Sequence, residues 1–114
     1  MLIKNITKNK IIESNSKLCN DILSKFVGLM FSKKRNKALI FKFSEKKLIA
    51  LHMLFVFYPI DVLFLDKNKI VVDKKESFKS FTFYKSKKEA MYAIELPDGT
   101  IKKTKTELRD KIRF

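Results

Sequence analysis

The chain reads as a mainly β (α+β) protein: a small β-sandwich or barrel-like domain with one packed N-terminal helix. Three observations predict it. Short strand-like runs outnumber helical ones and follow one another at close spacing. Polar turn residues separate those runs. Only one segment repeats its apolar residues at the spacing of a helix face.

That segment is "SNSKLCNDILSKFVGLM", with Leu18, Cys19, Ile22, Leu23, Phe26 and Val27 on one face. Asn15 or Ser16 can cap its amino end through a side-chain oxygen. Gly28 follows the last periodic residue, where a left-handed backbone is free of side-chain strain. Before it, "LIKNI" and "KIIES" around "TKN" form a plausible hairpin. After it, "KALIFKF" (37–43) reads as a strand and "SEKK" as a polar turn. "LIALHMLFVF" (48–57) is apolar on both faces, as in a strand buried on both sides, and Pro59 ends it. "DVLFL" and "IVVD" flank "DKNK", a turn in which Asn68 best tolerates a left-handed conformation. "SFKSFTFYKS" is an aromatic-rich strand or extended loop, and "AMYAIEL" alternates well. "PDGT" is a turn with Pro97 presetting its dihedral and Gly99 relaxing the exit. "TIKKTKT" can then return as a partner strand, and "ELRDKIRF" supplies a last turn and a short closing strand.

Length and composition bound the class. A chain of 114 residues is one domain on length priors. Hydrophobic residues make up 46%, which excludes a disordered chain. Cys19 is the only cysteine, so no intrachain disulfide forms, in keeping with a reducing compartment. The N-terminus "MLIKNITKNK" has no apolar core of signal-peptide length and no stretch approaches a membrane span, so the expectation is a soluble cytoplasmic protein with no membrane partner. The formal net charge is +14. It points either to an anionic partner or to a solvated basic surface. Three of the 26 basic residues are arginines (Arg35, Arg109, Arg113), and the lysines scatter through nearly every segment. That distribution favours the solvated surface, because lysine lacks the planar fork that reads bases and phosphates.

Several pieces together resemble a known family. "GLMF" follows the capped helix, "KALIFKF" comes next, then "HMLFVFYPIDVLFLDKNKIVV" and "AMYAIELPDG". From about Leu18 to the C-terminus the chain is similar to the domain-of-unknown-function family 192 in its compact archaeal form. The resemblance implies a compact β-rich domain without an established activity. Bacterial relatives carry a Trp-Met pair, a basic residue, Asn and Thr before the Pro-Leu-Asp block. Here His52, Met53, Leu54, Phe55 and Val56 stand there, so a site built on those polar residues does not carry over. Ser80 stands where a proline is common, and Arg109 where a glycine usually precedes Asp110. The last turn is therefore expected to differ in geometry.

Candidate chemistry centres on His52, Asp61 and Glu95. A carboxylate beside an imidazole can fix its tautomer for acid–base work. The structural alternative has Asp61 accepting backbone N–H groups at a bend while His52 finds a carbonyl. Glu95 alternates with Met91 and Ala93, so it faces inward, as an acid in a pocket or as the partner of a lysine. These three residues are the expected edge of a ligand pocket. The second candidate is a nucleic-acid face in which Phe81 and Phe83 stack bases between Lys79, Lys85, Lys87 and Lys88. Its alternative is a core strand with buried rings and snorkelling lysines. Metal and cofactor sites are not expected. One His and one Cys cannot close a zinc site, the aspartates are too dispersed for a calcium loop, and no glycine-rich phosphate cradle exists. The leading expectation is a non-catalytic binding module for a small anionic ligand or a protein partner. Nucleic-acid binding and an enzyme using His52 with Asp61 are the alternatives.

Overall fold

A computed structural model describes residues 1–19, 38–47, 50–52, 59–79 and 82–114, with the backbone alone at 17, 19, 44–47, 50–52 and 83. The strands are β1 (Ile3–Asn5), β2 (Lys10–Glu13), β3 (Ser16–Cys19), β4 (Ala38–Lys47) and β5 (Ala50–His52). Then come β6 (Ile60–Leu65), β7 (Val71–Phe78), β8 (Phe83–Lys85), β9 (Ala90–Pro97) and β10 (Ile112–Arg113), with helix α1 (Thr100–Thr104) between the last two.

A five-stranded sheet, order β3-β4-β9-β6-β7, forms the centre. It is antiparallel except at its β3 edge, which runs parallel to β4. The register of β4, β9 and β6 divides their residues between two faces. One face carries Ile40, Leu63, Leu65, Ile94 and Leu96, packed against Ile3, Ile12 and Ile112 of the three-stranded sheet β10-β1-β2 and Ile101 of α1. The other carries Phe41, Ile60, Val62, Phe64 and Ala93, packed with Phe78 of β7 and with Tyr84 of the two-stranded sheet β5-β8. Strand layers packed on the central sheet make the β-sandwich that the closely spaced strand-like runs predicted. Every residue of β6 is buried, because this strand is internal to the sheet and covered on both faces.

The hairpins β1–β2 and β6–β7 form where the sequence places them. Other elements correct it. The predicted helix begins inside β3: Ser16–Cys19 pairs with 38–41, because the free edge of β4 offers the backbone its hydrogen bonds and Leu18 packs on the core. The rest of that predicted helix lies in 20–37, outside the described residues. "SEKK" is not a turn: β4 runs through it to Lys47, which pairs with Ala90 after a register shift. Within the expected strand 48–57, the described piece is β5. In the β6–β7 turn the left-handed residue is Lys69 (φ 63) rather than Asn68. Asp66 Oδ1 accepts the N–H groups of Asn68 (2.8 Å) and Ile70 (3.0 Å), and that bracket sets which residue turns.

"TIKKTKT" is the largest reversal. It folds as α1 instead of a strand. Gly99 (φ 86) turns the chain into it, and the Thr104 hydroxyl donates to the Thr100 carbonyl at 2.9 Å. A β-carbon at Gly99 would meet nothing within 4 Å, so the position needs glycine for its backbone angle and not for space.

The C-terminal segment is tied to the first hairpin by a buried polar network. Asn5 Nδ2 donates to Thr106 Oγ1 (3.1 Å) and to Asp110 Oδ2 (2.9 Å), while Asn5 Oδ1 accepts the Lys8 N–H (2.9 Å). Lys8 Nζ lies 3.1 Å from both Asp110 and Glu107. Burial by itself would raise the Asp110 carboxyl. Asn5, the Glu107 amide and Lys8 outweigh it and hold the group below its ordinary value. Arg109 sits in this turn at φ 76, donating its N–H to the Val71 carbonyl at 2.8 Å. The turn therefore has the left-handed geometry glycine favours, and the arginine is strained into it. Ser80, the other departure from the resembled family, lies outside the described residues.

Replacing Arg109 by Gly is expected to raise stability by about 0.5–1 kcal/mol, because left-handed strain outweighs the added freedom of the unfolded chain. Urea denaturation of the two proteins measures it.

Candidate functional site

The register between β6 and β9 decides how the expected site is built. Asp61 lies opposite Leu96, and Val62 lies opposite Glu95. Neighbours one residue apart on a strand point to opposite faces. Asp61 and Glu95 are thus on adjacent strands but on opposite sides of the sheet, and the three-residue pocket drawn from the sequence is corrected. The sequence shows two inward-facing acids. It does not show that the pairing offsets them by one.

Asp61 has a structural task. It is fully buried, on the face toward α1. Its Oδ1 accepts the Ser77 N–H at 2.9 Å, and its Oδ2 accepts the Ile101 N–H at 2.8 Å. The first bond holds the end of β7, where Ser77 turns at φ 49. The second satisfies an amide in the first turn of α1, where Gly99 has no side chain to cap with. Desolvation pushes its carboxyl above the ordinary value, against the amides of Ser77, Ile101 and Gly99 that favour the charge. Replacing Asp61 by Ala is expected to destabilise the fold by about 3–5 kcal/mol, since two buried N–H groups lose a charged acceptor. Asp61→Asn, with one acceptor oxygen, loses less. Equilibrium denaturation distinguishes the two.

Glu95 is the opposite case. It sits on the central strand of the five-stranded sheet, 7% exposed. Leu39 flanks it on β4 and Val62 on β6. Phe41, Phe64 and Ala93 complete the apolar surroundings on its face. Its Oε2 is the one buried side-chain polar atom without a hydrogen-bond partner among the described residues. No lysine or arginine among the described residues pairs with it. Bringing a charged end into this apolar layer would desolvate it. Burial alone pushes the Glu95 carboxyl well above the ordinary value of 4.5. The group is therefore held toward its neutral form, which can donate as well as accept a hydrogen bond.

The β5–β8 pair lies over this same face. The Tyr84 ring is 5.8 Å from Phe64 and 6.2 Å from Phe78. The Tyr84 hydroxyl donates to Asp73 Oδ2 at 2.7 Å, and the same oxygen accepts the Lys87 N–H at 2.8 Å. Burial, reinforced by Asp73, pushes the Tyr84 phenol up to about 12. His52 pairs in register with Phe83 in this layer. The side chains of both, and of Cys19, lie outside the described residues.

Of the expected nucleic-acid face, the lysines are described and the side chains of Phe81 and Phe83 are not. Lys79, Lys85, Lys87 and Lys88 are exposed. Phe78 beside them is buried in the core, and Phe81 lies outside the described residues. Exposed lysines also stand on other elements, at Lys10, Lys67, Lys102, Lys103, Lys105 and Lys111. Among the described residues the basic charge is spread rather than gathered. Among the described residues there is no cluster of three metal-ligating side chains, and no helix is long and apolar enough to cross a membrane.

These features describe a strand-rich domain without an assembled catalytic constellation among its described side chains. Comparison with known proteins gives its family. The model of DUF192, described as "Uncharacterized ACR", matches residues 4–114, and the chain belongs to that family. It is 40% identical over 114 residues to a UPF0127 protein of Thermococcus sibiricus, covering 98% of this chain and 73% of the relative. It is 35% identical to a UPF0127 protein of Pyrococcus furiosus, covering 96% and 95% of the two chains. Among solved structures, a Sinorhizobium meliloti protein described as a candidate transcription regulator superposes with a TM-score of 0.86 at 19% identity, over 98% of this chain and 89% of that one. A Novosphingobium aromaticivorans protein of unknown function gives 0.85 at 15% identity, over 99% and 82%. At those identities the likeness shows the shared fold.

Replacing Glu95 by Leu is expected to stabilise the protein by about 1–3 kcal/mol, the penalty of burying an unpartnered polar group. The pH dependence follows from the same group. The folded chain keeps a proton that the unfolded chain gives up above 4.5, so Glu95's contribution to stability falls as pH rises through the raised folded value. Denaturation curves across the acid-to-neutral range check this: the slope is present in the wild type and reduced in Glu95→Leu.

Proposed function

We propose that this protein is a non-catalytic binding module for a small molecule, seated on the face of the five-stranded sheet that carries Glu95, beneath the β5–β8 pair. One observation carries the reading: a buried carboxyl oxygen that has no partner among the described residues, on a face whose described neighbours are apolar. A group placed there lowers the stability of the empty fold. A polar group that costs stability is a common feature of a binding site, since residues that serve function are often suboptimal for stability. An apolar surface with one directed polar group is also the usual make-up of a small-molecule site. Asp61, fully used in joining strands and helix, belongs to the scaffold.

The test is a thermal-shift screen of the wild type and Glu95→Leu against small organic anions, amines and nucleotides. A true ligand at a hundred times its Kd adds about 2.7 kcal/mol to the wild type. The reading requires that this gain disappear in Glu95→Leu and that amide signals of Leu39, Val62 and Ala93 shift on binding. An equal gain in both proteins overturns it.

The exposed lysines at 85, 87 and 88 give a second reading, because Asp73 holds their turn in place through Tyr84 and the Lys87 amide. Such a turn presents charge to a nucleic-acid phosphate backbone. That reading requires single-strand RNA affinity that falls steeply with salt and weakens when Lys85, Lys87 and Lys88 become Ala.

A further inference from the structure

We infer that the outer face of the three-stranded sheet β10-β1-β2 docks an acidic amphipathic helix of a partner protein. This surface lies across the central sheet from Glu95 and does not depend on the site proposed there.

Strand alternation builds the face. Ile3 and Asn5 of β1 are fully buried beneath the sheet, so Leu2, Lys4 and Ile6 point outward. The register sets Ile11 of β2 on one side of Lys4 and Arg113 of β10 on the other. Leu2 is 45%, Ile6 42% and Ile11 60% exposed. Among the described residues the other large hydrophobic side chains in water are Met1, beside Leu2, and Leu108, in the turn before β10. All of them belong to this layer, and the described residues of the five-stranded sheet expose none. Apolar side chains gathered on one layer mark an interaction surface, where single scattered ones would not.

Charge and size name the occupant. Lys4 and Arg113 stand directly opposite each other on neighbouring strands, and like charges so placed cost stability. Neither has an acid within ion-pair distance among the described residues, where the ion pairs belong to Lys8. A partner with carboxylates beside its apolar residues relieves the repulsion and covers the aliphatic side chains together. From Leu2 to Ile6 the strand runs about 13 Å at its usual rise, and three strands side by side are about 10 Å across. Two to three turns of one helix have about that length and width. An amphipathic helix with acids flanking its apolar stripe therefore matches the face in size, apolarity and charge. A second copy of the chain does not. A two-fold contact would set Lys4 and Arg113 against their own equivalents, in a chain of formal net charge +14. Nor does a nucleic acid, since the described residues of this face offer its bases no aromatic ring to stack on.

The experiment titrates isotope-labelled protein with two synthetic helical peptides that share one leucine stripe, flanked by Glu in the first and by Lys in the second. Amide shifts give both the affinity and the place of binding. The Glu peptide is expected to shift Lys4, Ile11 and Arg113 and to bind about tenfold or more tighter than the Lys peptide. Lys4→Glu combined with Arg113→Glu reverses that preference, and Ile11→Ser weakens the Glu peptide about fivefold. The same change of charge at Lys42→Glu with Lys67→Glu, two exposed lysines elsewhere, leaves its binding unchanged. Urea midpoints confirm that each variant is folded. Equal weakening by the Lys42 and Lys67 pair, or shifts that fall on other surfaces, traces the attraction to overall charge and overturns the inference. Vesicles of equal parts phosphatidylcholine and phosphatidylglycerol are titrated in parallel. Vesicle binding that the Lys4 and Arg113 variant loses, without binding of the Glu peptide, overturns the protein partner in favour of a membrane surface. Binding of neither overturns the docking face itself.

Discussion

Asp61 is the joint on which the rest of the architecture depends. It stands near the start of an internal strand. It reaches the end of β7 with one oxygen and the first turn of α1 with the other. Three segments far apart in sequence meet at one carboxylate. Without it the Ile101 amide has no cap, because the residue before the helix is a glycine. Ser77 would also lose the bond that holds its left-handed backbone. The helix in turn seals the core with Ile101, and the segment after it closes on the first hairpin through Asn5, Lys8 and Asp110.

Glu95 occupies a neighbouring place in the same sheet and has the opposite character. Both acids are buried in a hydrophobic layer, and burial raises both carboxyls. The difference lies in what each face offers. On the face of Asp61 the chain turns, and turning exposes amides that need an acceptor. On the face of Glu95 the neighbours are regular strands, whose amides are already used in the ladder. A carboxyl in the first setting organises the backbone. In the second it meets apolar side chains among the described residues, and one of its oxygens stays without a hydrogen-bond partner there.

The legible parts of the fold were those in which a local pattern and its tertiary setting agree. The apolar run "DVLFL" before its turn and the alternation of "AMYAIEL" mark β6 and β9, and both are core strands. The "TKN" and "DKNK" turns join antiparallel partners. The errors fall where a distant group overrides the local pattern. Ser16–Cys19 carries the opening of a helical spacing, and the edge of β4 draws it into a parallel pair. "TIKKTKT" is rich in strand-favouring threonine, and a carboxylate 40 residues earlier in the chain stabilises it as a helix. Arg109 looks like a departure that alters a turn, and the buried network around Asp110 holds the turn's geometry regardless.

The sequence by itself determined the class of fold, its strand-rich character, the inward placement of Asp61 and Glu95, and the family. Those properties follow from alternation, turn chemistry and local motifs, which are properties of neighbouring residues. The tertiary structure alone decided which acid is tied into the backbone and which is left unpartnered. That outcome rests on a one-residue offset in strand pairing, and in a sheet a one-residue offset places side chains on opposite faces.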